Sequence, residues 1–377
     1  MPVPLSDPIP IEPVSAAPVR LAVVGCGGSR QTYGAILPLL DAVEVGVLMD
    51  LDPVSARLWS RESRGASVVT DFAEVLADPT IEAALLTSPV EDRARQAIAL
   101  AEAGKHAYCA SPLPARLSVC DDLARRSAEC GTVLMVGLAR RFDRSFLGAK
   151  QAVEEGRIGR IHQIRCDWSF YAGWAARRAS LRTWRGVFEF HASQTVDFCR
   201  WVLGEIQTVS ADIDLPGGGG RVACQGNVIL QHERGLSIHH ISRTDHKDPV
   251  EQYLLSGDEG TLELSFSGGW SYDSTAYFRA LLHRIGRAPE DVTPVAKLRA
   301  TDEAKAHNPY LLALRHFALC VRLGVEPQVG AADGRAVTEA ILAAYLSSME
   351  QIKVALPLTG SGHIEESLRS LGDGSEA

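Results

Sequence analysis

The stretch VVGCGGSRQTYGAIL, residues 23–37, sets Gly25, Gly27 and Gly28 between an apolar run and a periodic one. Small residues at a strand-to-helix turn let a dinucleotide pyrophosphate approach backbone N–H groups. Gly25 and Gly27 fit the first positions of G-x-G-x-x-G, and Arg30 stands where the third glycine belongs. Gly28 and Ser29 would let the turn widen. Arg30 then either reaches the pyrophosphate as a charge partner or points to solvent. The next apolar run, VEVGVLMD, closes on Asp50, and Leu51 follows. A carboxylate there accepts from both adenosine ribose hydroxyls and repels a 2′-phosphate, and Leu51 offers such a phosphate nothing. The pattern predicts NAD rather than NADP. The competing reading is a Gly-rich turn that serves helix–sheet packing alone.

Other residues invite chemistry with less pattern behind them. AGWAARRASLRTWRG carries Arg177, Arg178, Arg182 and Arg185 with Trp174 and Trp184. Arginine forks grip carboxylates or phosphates bidentately, so the cluster reads either as a grip for an acidic or phosphorylated sugar or as a solvated loop. The eight cysteines form no C-x-x-C, and His232 and His246 lie outside metal-ligand spacing, so no metal is implied. His239-His240 would alternate faces along a strand, leaving at most one toward any site. Lys105, at a turn before a strand, reads as structural or solvated.

The elements that must position these residues alternate strand and helix from Val19. RLAVVG, VEVGVLMD, SVVT, IEAALLTS, KHAYCA and TVLMVG read as strands. QTYGAILPLLDA, PVSARLWSRES, FAEVLADP, EDRARQAIALAEAG and SVCDDLARRSAECG read as helices between them. Such alternation predicts an α/β fold with a doubly wound parallel sheet, a Rossmann domain over residues 19–140. Ligands in such sheets bind outside the carboxyl ends of the strands. Thr87 and Pro89, at the end of IEAALLTS, are therefore expected against the nicotinamide half. After about residue 155 short strands follow one another, among them IGRIHQIRCDWSF, TVSADIDL, VACQGNVILQHE, LSIHHISRT, EQYLLSGDEG and TLELSF. They predict an α+β domain over 141–377 with an open, mainly antiparallel sheet. Two helices, NPYLLALRHFALCVRLG and GRAVTEAILAAYLSSMEQ, close the chain, and the C-terminal one is expected to pack back on the Rossmann domain. The loop PGGGG at 216–220 is a connector.

Composition narrows the classes. Apolar residues make up 46% of 377, enough for sizeable cores, and the formal net charge of -8 disfavours nucleic acid as a partner. Residues 1–18 are proline-rich with no basic residue before Arg20, so they read as an extended or disordered leader rather than a signal peptide. No apolar run is long enough to span a membrane. A soluble, cytoplasmic protein with a small-molecule substrate is expected.

With these segments in hand, the chain resembles the Gfo/Idh/MocA family of oxidoreductases. The resemblance rests on VVGCGGSRQTYGAILPLL, MDLDP, LTSPVEDRARQAIALAEAGKHAYCASPLP, VLMVGLARRFDRSF, VEEGRIGRIHQIR, TWRG, VDFCRWVLGEIQTVSA and AADGRAVTEAILAAYLSS, spread over most of 19–355. It implies an N-terminal Rossmann domain and a second domain whose sheet makes a dimer or tetramer interface. It also implies NAD(P)-linked chemistry on sugars, cyclitols or their derivatives. Two departures stand out. The family's E-K-P, with its catalytic lysine, reads Ala110-Ser111-Pro112 here, so a hydroxyl replaces the ammonium while the proline is kept. In the family's D-x-G-x-H-x-x-D, Asp197 matches the last acid, Gln194 falls on the histidine, Ala192 on the glycine and Phe190 on the first acid. His191 lies three residues before Gln194 and shares its face if the segment is helical. It reads as a relocated acid/base, with Glu189 a further candidate, or else as a packing histidine at a helix start. Trp184 and Arg185 match the family's W-R, and with Arg182 and Asp197 they are the expected substrate contacts. Three functions follow: an oxidoreductase with an altered proton relay, a cofactor-bound enzyme of non-redox outcome (lyase, epimerase or glycosidase type), or a non-catalytic NAD- or sugar-sensing protein.

Overall fold

The computed structural model describes residues 17–28, 30–60, 63, 65–169, 186–214, 225–242, 250–267, 277–293, 308–359, 362, 364 and 366. They divide into two compact units. One takes 17–142 and 308–338, the other 143–293 and 339–366.

The first unit holds six parallel strands: β1 (Val19–Val24), β2 (Val43–Met49), β3 (Ser67–Val69), β4 (Ala83–Leu86), β5 (His106–Ala110) and β6 (Leu134–Gly137). Their order, β3-β2-β1-β4-β5-β6, is that of a Rossmann sheet, and the direction of winding reverses between β1 and β4. β1, β4 and β6 are almost wholly buried, which is why they read as apolar runs rather than alternating ones. Helices α1 (Pro53–Ser60), α2 (Phe72–Ala77), α3 (Val90–Glu102) and α4 (Leu117–Glu129) connect the strands as expected. QTYGAILPLLDA departs from its helical period. It forms a π-helical turn at Arg30–Gly34 and a 3-10 turn at Leu37–Leu39. Pro38 brings no N–H to an α-helical ladder, and Gly34 weakens the turn before it.

The second unit opens with α5 (Arg144–Glu154), capped by Asp143, whose carboxylate accepts from the Ser145 N–H at 2.8 Å. Then come β7 (Ile161–Ser169), α6 (Gly186–Leu203), β8 (Ile206–Ile213), β9 (Gln225–His232), β10 (Gly235–Ser242), β11 (Val250–Gly257), β12 (Thr261–Ser267), β13 (Tyr277–His283) and β14 (Glu290–Asp291). The nine-stranded sheet runs β14-β13-β12-β11-β7-β10-β9-β8-β15, where β15 is Val354–Ala355. Among the described residues of this sheet only β7 and β10 pair in parallel, and the other pairs are antiparallel. α5 and α6 cover one face, over a core built on Phe146, Phe198, Tyr253 and Leu264. β9 alternates exposed and buried residues along its length, so among the described residues its other face is exposed.

Two helices complete the chain. α7 (Pro309–Leu323) begins where Asn308 accepts from the N–H groups of Tyr310 and Leu311, and stops at left-handed Gly324. It lies in the first unit, where Arg322 bonds Glu82 and holds its carboxyl down at about 2. α8 (Ala331–Glu350) contributes Asp333 to the first unit, bound to Arg141 at 2.8 Å. In the second unit it contributes Ser347, which accepts from the Ala211 N–H at 2.9 Å. No helix among the described residues is long and apolar enough to cross a membrane.

Candidate active site

The glycine turn sits at the carboxyl edge of β1. Gly25 has φ +92°, and a Cβ there would meet the Ser88 backbone nitrogen at 2.4 Å. Glycine is thus required both by conformation and by the closeness of the β4 end. Thr87 fastens that approach: its N–H donates to Val24 O at 2.8 Å and its hydroxyl donates to Gly25 O. Gly27 and Gly28 are exposed, and no heavy atom lies within 4 Å of a Cβ built on Gly27. Asp50 lies across the turn. One carboxylate oxygen accepts the Cys26 N–H at 2.6 Å and the other accepts the Asp52 N–H at 2.9 Å. The acid therefore shapes the turn as well as offering the remaining lone pairs to a ligand. Leu51 beside it is 83% exposed and carries no group to hold a phosphate. Arg30 is half-buried, with its N–H donating to Gly27 O at 3.3 Å. Pro89 is exposed at the start of α3.

Ser111 is buried, and its peptide bond to Pro112 is cis. The loop is held by a residue that the sequence reading missed. Arg93, buried on α3, donates from Nε to Ser88 O at 2.6 Å and from Nη1 to Ala110 O at 2.8 Å and Pro112 O at 3.1 Å. One guanidinium thus ties the end of β4 to the end of β5 and to the serine loop. Burial pulls its pKa below the ordinary arginine value. Arg93 shares a stripe with buried Ala97, Leu100 and Ala101, at helical spacing. A cation on an apolar stripe was the available signal. Lys105 proves structural: its ammonium donates to Asp78 O and Ile81 O, both at 2.7 Å.

In the second unit, α6 gathers Glu189, His191, Gln194 and Asp197 on one helix, confirming the helical premise for the His191–Gln194 spacing. All four are buried, and so are Ser193 and Thr195 between them. Such a density of buried polar groups is costly unless a hydrogen-bond network or a function uses it. The His191 ring stands edge-on to Trp168 of β7, with centroids 3.8 Å apart. Of the His239-His240 pair, His239 is buried against Thr195 and Ser237, while His240 bonds Asn227. Ser29, Trp174, Arg177, Arg178, Arg182, Trp184 and Arg185 lie outside the described residues, as do Phe190's side chain and His246.

Residues 19–138 match the oxidoreductase family's NAD-binding Rossmann fold, and residues 146–263 match the GFO/IDH/MocA C-terminal domain. The chain belongs to the Gfo/Idh/MocA family of oxidoreductases. It is 25% identical to the myo-inositol 2-dehydrogenase of Thermotoga maritima over 331 residues, 84% of this chain and 92% of that one. It is 26% identical to the scyllo-inositol 2-dehydrogenase (NAD(+)) of Bacillus subtilis, across 90% and 96% of the two chains. The WlbA dehydrogenase of Bordetella pertussis, solved with NADH and UDP-GlcNAcA, shares the fold with a TM-score of 0.74 at 21% identity, over 92% of this chain and 100% of that one. As a Gfo/Idh/MocA protein, the chain is an NAD-dependent oxidoreductase.

Proposed function

We propose that this oxidoreductase acts with NAD on a hydroxyl of a cyclitol, sugar or related polyol derivative, through a proton relay that lacks the family's lysine and histidine. The observation that carries the proposal is the run of six buried polar side chains on α6, from Glu189 to Asp197, in the helix where the family keeps its acid/base. The dehydrogenases of inositols among its relatives support the substrate class.

The residues present fit a dinucleotide. Gly25 keeps the turn tight against β4, the open side of Gly27 admits a phosphate to the backbone, and Asp50 offers its carboxylate for ribose hydroxyls. Gly28, Ser29 and Arg30 would flank the pyrophosphate, and Thr87, Pro89 and Pro112 the nicotinamide half. When bound, NAD supplies the hydride acceptor; the chain must orient the alcohol and take its proton. His191 is assigned the proton at an imidazole nitrogen, and Glu189 an alternative place for it on a carboxylate. Gln194 and Ser111, which do not titrate near neutrality, are assigned hydrogen bonds that orient the reacting hydroxyl. Asp197, Arg182, Trp184 and Arg185 are assigned to substrate, with the arginines favouring an acidic or phosphorylated sugar. The exposed positions that alternate along β9 among the described residues support a homo-oligomer.

The burial of His191 against Trp168 supports a second reading, in which that ring packs the helix and the chain binds NAD and sugar without turnover. A panel of cyclitols, sugars and sugar acids followed at the NADH absorbance band separates the two. The first reading expects activity that His191→Ala reduces by about 10²–10⁴ with NAD affinity little changed. Activity untouched by His191→Ala removes the histidine from the relay. NAD binding with no turnover on any of the panel favours the second reading.

A further inference from the structure

The second unit contains a cluster that hydride chemistry does not use. Cys166 of β7, Cys199 of α6 and His239 of β10 are all fully buried, and their sulfur and ring-nitrogen atoms lie within 4.8 Å of one another. The two sulfurs are 3.6 Å apart. Cys166 and His239 are direct neighbours across the parallel β7–β10 pair, and α6 lowers Cys199 onto them.

The cluster is held from outside by polar groups. His232 Nδ1 donates to Gly204 O at 3.0 Å. The Ser237 hydroxyl lies 2.9 Å from His232 Nε2 and 2.8 Å from His239 Nε2, and Thr195 Oγ1 lies 3.0 Å from His239 Nδ1. The imidazole is thus fixed on both sides while it faces the two sulfurs.

We propose that Cys166, Cys199 and His239 bind a zinc ion, with the Ser237 oxygen or a water as fourth donor. Two sulfurs each about 2.3 Å from one ion and 3.6 Å apart subtend about 103° at it, close to tetrahedral. Coordination at His239 Nε2 leaves the Ser237 hydroxyl to bond His232. Two thiolates balance the charge of Zn²⁺, which an apolar core demands; monovalent copper would leave a net negative charge buried. Binding releases the two thiol protons to solvent and changes no oxidation state. Thr195 holds the imidazole as the hydrogen-bonded partners of zinc histidines do. Such an ion would staple α6, which carries His191, Gln194 and Asp197, to the middle of the sheet.

Elemental analysis of the full chain, produced with zinc and gel-filtered, tests this. About one zinc per chain is expected, as in structural sites of this ligand type. Refolding with Co²⁺ alone should produce thiolate-to-cobalt charge-transfer absorption. Cys166→Ser and Cys199→Ser should each lower bound metal about tenfold or more, whereas Cys130→Ser, at an exposed cysteine of the other unit, should retain it. If the serine variants fail to fold, the wild-type metal content and cobalt spectrum still decide. A chain without zinc that gives no cobalt–thiolate band, or a mass showing Cys166 disulfide-bonded to Cys199, overturns the proposal.

Discussion

Removing the Arg93 guanidinium should damage the cofactor end of the Rossmann unit more than any surface charge could. In Arg93→Met the methylene stem is largely replaced, but the acceptors Ser88 O, Ala110 O and Pro112 O lose their donor. A hydrogen bond from a charged group contributes about 1.5–3 kcal/mol, and a buried acceptor left unmet costs about 1–3 kcal/mol. The three bonds share one donor group and are not additive, and desolvation of the cation, which Met does not incur, offsets part of their sum. The net loss expected is about 3–4 kcal/mol. Arg93→Lys keeps the charge but not the fork, and should fall between Met and wild type. Because the lost bonds join Ser88 to the loop bearing Ser111 and Pro112, NAD should also bind about tenfold more weakly, equivalent to about 1.4 kcal/mol of disordering. Urea unfolding by circular dichroism and NAD titration calorimetry measure the two effects. An Arg93→Met protein within about 0.5 kcal/mol of wild type, with unchanged NAD affinity, would refute the clamp.

Three further outcomes follow from named contacts. Asp50→Ala removes the acceptor of Cys26 N–H and any ribose contact, and should weaken NAD by about tenfold or more while narrowing the NAD/NADP preference; tighter NADPH than NADH binding by the wild type would contradict the role given to Asp50. Gly25→Ala places a Cβ 2.4 Å from backbone at φ +92° and should cost about 2–4 kcal/mol with loss of NAD binding, read by the same titration and melt. His232 has a folded pKa of about 4, below its ordinary 6.5, so stability is lost as pH falls from 6.5 toward 4, where only the unfolded chain gains the proton. That shift amounts to about 3 kcal/mol, and His232→Asn should flatten this part of the stability–pH curve.

The Rossmann half was legible because its signals are local. Gly25, Gly27 and Asp50 are separated by two short turns and one strand, and buried parallel strands announce themselves as apolar runs. The reading failed where a local rule was overruled: QTYGAILPLLDA has helical period, yet Pro38 and Gly34 break it into two short turns. α5 and β13 passed unread between stronger patterns. The spacing of His191 and Gln194 was sound, but their complete burial was not visible, since it depends on what covers α6 in three dimensions. The cysteine pair lay beyond spacing rules altogether. Cys166, Cys199 and His239 come from a strand, a helix and another strand, and only the parallel β7–β10 pairing brings them together. Arg93 stood out in no spacing rule, because the carbonyls of Ser88, Ala110 and Pro112 that define its role converge only in the folded chain.

The serine in place of the family's lysine can be understood through the same clamp. Ser111 is buried between Ala110 and Pro112, both of which give their carbonyls to Arg93. The loop is shaped by backbone groups and by an arginine outside it, so its course does not depend on the side chain at 111. An ammonium there would have to be desolvated close to a guanidinium that is already buried without a carboxylate among its three hydrogen-bond acceptors. A hydroxyl avoids that repulsion and still offers one donor and two lone pairs. On the proposed relay the exchange would change the proton chemistry while the backbone frame stays with Arg93, and restoring lysine alone would supply a charge without the histidine that the family pairs with it. Ser111→Lys with Gln194→His tests the point. If the double variant, but neither single one, gains sugar-dependent NADH formation in an otherwise inert protein, the frame is intact and only the titrating pair is missing. If Ser111→Lys alone suffices, the assignment of Gln194 as the exchanged partner is wrong.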